Sequence, residues 1–217
     1  MLHIESDQRE QTTAATDLML AIAALAAIWR LRAGTGWRAR VWQAAFALLA
    51  VSSLLGAIIH GLRLSAHTRE RLWQPLNVLL GLTVALFTTG AVSDRWGEMV
   101  GRRTLPVLAG AAPAFAWFSR RLRRGFLAFI LYELVAMLVA LSIYIDLAYR
   151  RQFPGAGLIT SGILITILAA AIQTSSLEVR VGKIIVDHNG LFHLVQLVAL
   201  PLLVEGVRAR LKPDRDV

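Results

Sequence analysis

Seven long apolar runs, separated by short clusters of arginine, glycine and acidic residues, set the pattern of this chain. They fall at about 15–31, 41–63, 72–93, 104–119, 126–148, 156–175 and 189–206. A helix needs ~20 apolar residues to cross a hydrocarbon core, and these runs are of that order. The pattern predicts an all-α protein, an integral membrane bundle of seven transmembrane helices in one domain. The fourth run is the shortest and carries Pro106 and Pro113, so six crossings with a re-entrant fourth segment is the alternative. Membrane helices tolerate proline where neighbours re-satisfy the freed carbonyls. The connections are short, the last running from Ser176 to His188, and leave no room for a second domain. No internal repeat is evident, which argues against an inverted-repeat transporter.

Composition agrees: 56% of residues are hydrophobic and mean hydropathy is +0.58. The net charge of +9 does not imply nucleic acid. Its arginines lie in the connections between apolar runs, as membrane topology requires, and not along one extended face. Lys183 and Lys212 are the only lysines, which fits a GC-rich genome. The chain has no cysteine, so disulfides, thiolate-bound zinc and thiol catalysis are excluded. The first sixteen residues carry Glu5, Asp7 and Glu10 and lack a basic n-region, so no cleavable signal peptide is expected.

Let side A be the side that holds the N-terminus. Its connections carry 10 Lys and Arg residues, and those of the opposite side, side B, carry 13. The positive-inside rule then predicts a cytoplasmic C-terminus and an outward N-terminus, in a bacterial inner membrane.

Polar residues inside the bundle gather toward side A. His60 stands near the end of the second run. Asn77 lies within the first two turns of the third. His188 and His193 open the seventh. With a rise of 1.5 Å per residue, these groups lie within ~5–10 Å of side A's boundary. Asp17 opens the first run at the same level, and Gln173 and Gln196 join it. Glu133 lies ~10 Å into the fifth run, where a carboxylate must be protonated, paired or metal-linked; Arg121 and Arg124 are candidate partners. Ser53 is seven residues before His60, two turns away on the same face. Three imidazoles at one depth suggest a shared metal or proton site. The competing reading is that histidines simply favour a wet interface. His67 is expected to be solvated.

The seven-helix layout, a histidine late in helix 2 within Ser52–Gly61 and two histidines within Asp187–Gln196 resemble the CREST membrane hydrolases. That superfamily comprises alkaline ceramidases, progestin and adipoQ receptors and bacterial relatives. The resemblance implies zinc held by His60, His188 and His193, with a metal-bound water attacking an amide or ester of a membrane lipid. Asp17, Glu133, Ser53 and Asn77 are then the catalytic candidates, as proton donors or as donors to the oxyanion. The family's last histidine pair is spaced His-x-x-x-His, whereas His188 and His193 are five apart. Five residues turn a helix by ~500°, so both reach one ion only if His188 stands in a non-helical lead-in, capped by Asp187 or Asn189. The polar cluster is expected to open on a cavity between helices 2, 3, 5 and 7 that admits an acyl chain, lined by Leu80, Leu134, Met137 and Val195. A non-catalytic sensor or lipid-binding scaffold with a structural metal is the alternative; a haem or proton-translocating protein is a third.

Overall fold

A computed structural model describes residues 3–119, 121–122, 125–151 and 155–211. Arg120, Arg123, Arg124, Lys212 and Arg215, which enter the charge count, lie outside the described residues. Seven helices follow one another: α1 (Gln8–Leu31), α2 (Gly36–Gly61), α3 (Ala66–Trp96), α4 (Glu98–Ser119), α5 (Gly125–Tyr149), α6 (Ala156–Gln173) and α7 (His188–Leu211). Six of them are long and apolar enough to cross a membrane; α4 is not among the six.

The helices outrun the apolar stretches because polar caps start them early. Asp7 accepts a hydrogen bond from Arg9 N and begins α1 seven residues before the apolar run. Ser65 does the same for α3 through Thr68 N, so Arg69, Glu70 and Arg71 lie within the helix. The joint between α3 and α4 is Gly97 alone, at φ 92°, a conformation that favours glycine.

Two contacts fix the direction of α4. Near the ends of α3 and α5, Tyr144 Oη donates to Asp94 Oδ2 (2.9 Å) and Arg95 Nε meets Asp146 Oδ2 (2.8 Å). Both helices therefore end at the same level, side B. Between them α4, with 22 residues and a length of ~33 Å, carries the chain back toward side A.

The short connection read from Ser176 to His188 contains a hairpin. Strands β1 (Val179–Val181) and β2 (Ile184–Val186) pair antiparallel. Gly182 takes the first turn position at φ 60°, as a II′ turn requires. The hairpin leans on α1: Arg9 Nε meets Glu178 Oε2 (2.7 Å) and Thr12 Oγ1 donates to the Ile185 carbonyl (2.7 Å). Beside it, Ile4 bridges to Leu62, so the chain before α1 runs along the end of α2. The core lies between these helices, where Trp42 packs edge-on against Phe87 at 5.1 Å and Leu20, Met137, Leu200 and Leu203 join them.

Candidate functional site

Polar residues of α1 lie along one face. Glu10, Thr13, Thr16 and Asp17 recur at spacings of three, three and one, and that face meets the side A ends of α2 and α7. Glu10 Oε2 lies 2.7 Å from His60 Nδ1, and Arg69 Nη1 stands 3.6 Å from the same oxygen. Thr13 Oγ1 donates to Asp187 Oδ1 (3.0 Å), which also accepts from the backbone of Asn189 and Gly190 and so caps α7.

His193 is buried between Thr16 and Asp17. Its Nδ1 is 3.0 Å from Thr16 Oγ1 and its Nε2 is 3.3 Å from Asp17 Oδ1. Thr16 Oγ1 donates to the Thr13 carbonyl (2.9 Å), so the imidazole must donate from Nδ1. Nε2 then meets Asp17 only through one more proton, carried by the acid or by the ring. Gly56 makes room for that carboxyl: a Cβ there would fall 2.7 Å from Asp17 Oδ2.

Of these residues Asp17, Gly56, His60, Asn189 and His193 border one cavity of about 170 Å³. Its lining changes character with depth. Along α2 it runs from His60 through Gly56, Ser53 and Ser52 to Leu49, Phe46 and Ala45, a span of ~22 Å. On α7 the lining repeats the gradient, from Asn189 and His193 to Leu200 and Leu203, whereas α3 is mainly apolar from Trp73 to Phe87, with Thr83 among its lining residues. Thr166 and Gln196, joined at 3.1 Å, and Gln173 add polar groups. Glu133 lines the cavity between Phe129 and Met137 and makes no hydrogen bond or ion pair among the described residues. Among the described residues neither Arg121 nor any other cation reaches it, and Arg124 lies outside them.

Of the expected residues, His60, His193, Asp17, Ser53 and Glu133 share this cavity. His188 and Asn77 do not line it. Asn77 Oδ1 is buried without a hydrogen-bond partner. His188 is the first residue of α7, directly after the Asp187 cap, and not part of a longer lead-in. Among the described residues no group of three or more His, Asp or Glu side chains is arranged to hold a metal. The cavity is offered two imidazoles, each already hydrogen-bonded, which does not match a three-histidine zinc site. Leu80 and Met137 line the apolar part as expected, whereas Leu134 and Val195 do not.

Glu10 and Thr16 are partners that the apolar runs alone do not reveal. Their signal is the polar face of α1, visible once the helix is started at Gln8. His67 is exposed, as expected for a solvated side chain.

Residues 12–212 match the model of a family described as a family of unknown function (DUF6962). No curated protein and no solved structure matches the chain.

Proposed function

This chain belongs to the DUF6962 family, and we propose that it is an integral membrane protein that binds an amphiphile in its side A cavity. Its seven helices all cross, the C-terminus is cytoplasmic, and side A faces outward across a bacterial inner membrane. The polar head of the ligand lies among Asp17, Glu133 and His193, and its apolar part lies along Leu80, Phe87 and Leu203. One observation carries the reading: a single cavity joins titratable groups at one end to apolar side chains at the other. A site for an amphiphile needs that shape, a few placed polar groups in a mainly apolar cleft.

Photolabelling tests it. An alkyl amphiphile bearing a diazirine should label peptides of α2, α3 and α7 that face the cavity. Leu80→Trp, which fills the apolar end, should remove that labelling. Labelling confined to the outer positions Ile22, Leu25, Val135 and Val198, exposed by 50% or more, would leave only nonspecific lipid contact.

The sharing of the cavity by His60 and His193 favours a second reading, a zinc-dependent hydrolase of a lipid amide or ester. It needs metal ligands to rearrange around those two rings. About one zinc per purified chain, lost in His193→Ala and kept in His188→Ala, would carry that reading over simple binding.

A further inference from the structure

The cavity's charges are one-sided. Its lining holds two carboxylates, Asp17 and Glu133, and neither lysine nor arginine. Asp17 has His193 as its partner. His60 has Glu10 and the edge of Trp73, 5.7 Å between ring centroids. Among the described residues Glu133 alone has none, and its neighbours one turn away on α5 are Phe129 and Met137. A carboxylate in apolar surroundings is costly unless a cation or a proton donor meets it. A phosphate or carboxylate head would instead meet the unpartnered Glu133 in a lining whose described residues include no lysine or arginine, a mismatch that selects against it.

Resting on the amphiphile reading, we propose that the ligand is an organic cation, a protonated amine joined to an apolar group, whose ammonium is received by Glu133. An ammonium supplies three donors and the missing charge, and the aromatic ring of Phe129 beside it is compatible with a cation. The cavity, about 170 Å³, is small. A void of roughly 150 Å³ takes a benzene-sized group, so the cavity suits about six carbons rather than a full acyl tail.

The test uses the intact protein in nanodiscs of zwitterionic lipid, with empty nanodiscs to subtract partitioning. Hexylamine, hexanol and hexanoate are titrated by calorimetry. The amine should bind tightest and the carboxylate weakest, with a gap between amine and alcohol of roughly tenfold, as a charge-assisted contact gives. Glu133→Gln, nearly isosteric, should collapse that gap, and Glu70→Gln on the exposed rim should keep it. Hexanol and hexylamine binding equally would overturn the cation proposal while the amphiphile reading stands. Tightest binding by hexanoate, or an amine preference that survives Glu133→Gln, would overturn it too. If none of the three binds, both readings fall. The ranking in the unmodified protein decides even where a variant fails to fold.

Discussion

The contact between His193 Nε2 and Asp17 Oδ1 can be probed atom by atom. Asp17→Asn keeps the size of the side chain and offers an N–H to Nε2, so its stability should change by less than about 1 kcal/mol. Asp17→Ala leaves the ring nitrogen without a partner beside a new void, and should cost about 1–3 kcal/mol. Gly56→Ala should behave like the second substitution, because the added methyl falls 2.7 Å from Asp17 Oδ2 and drives the carboxyl off the ring. Gly110→Ala, whose methyl meets nothing within 4 Å, should stay within about 0.5 kcal/mol. Thermal unfolding in detergent reads all four; a loss in Gly110→Ala as large as in Gly56→Ala would place the effect in the helix backbone and not in the pair. The depth of Asp17, His60 and His193 was legible from the sequence, since depth follows from counting residues at a fixed rise. Their partners were not, because a pairing depends on how each helix is rotated. The same limit separates Leu80 and Met137, which reach the cavity, from Leu134 and Val195, which do not.

Between elements, a second polar cluster lies at the opposite end of the bundle. Asp94 on α3 accepts from Tyr144 on α5 and lies within 4 Å of Arg38 on α2 (3.8 Å) and Arg210 on α7 (3.4 Å). Four helices thus converge on one buried carboxylate. Asp94→Ala takes the counter-charge from two half-buried arginines and should cost about 3–5 kcal/mol, whereas Tyr144→Phe removes one hydrogen bond to a charged group, about 1.5–3 kcal/mol. Equal losses would show that the arginines are neutralised elsewhere. Asp94 sits in what reads as a connection, and only the extension of α3 to Trp96 brings it into the bundle. The hairpin was likewise hidden, because strands of three residues leave almost no periodic signal. Its hold on α1 depends on pH. Hydrogen bonds from Arg9 and then Arg180 keep the Glu178 carboxyl below the ordinary glutamate range. A lowered value in the folded state means that the contact contributes fully above the ordinary range and fades as the pH falls through the lowered one. Spin labels on Lys183→Cys and Ser65→Cys should therefore hold a narrow distance distribution at neutral pH, and one that broadens below about pH 4. A distribution unchanged at pH 2 would assign the docking to Thr12 and Ile185 instead.

For the whole molecule, the number of crossings turns on α4. Apolar composition marks the other six helices, and Glu98, Arg102, Arg103 and two prolines weaken α4. Hydropathy was therefore enough to find six spans and not enough to fix the seventh. Because α3 and α5 end at one level, α4 must return through the thickness of the bundle whatever its composition, unless it lies along the surface. Its prolines are compatible with a crossing where neighbours satisfy the freed carbonyls. The absence of cysteine makes this directly measurable, since any introduced thiol is the only one in the chain. Glu98→Cys and Leu122→Cys mark the two ends of α4, both exposed, and a membrane-impermeant maleimide should reach them from opposite sides. Labelling from the same side would make α4 a surface or re-entrant helix and reduce the count to six. The ends supply the orientation. On the proposed orientation, which rests on the 13 to 10 distribution of basic residues, His3→Cys should label from outside and Ala209→Cys only after the membrane is opened. With seven crossings the two ends must differ, so a reversed pair would invert the molecule and place the polar end of the cavity, with His60, on the cytoplasmic side.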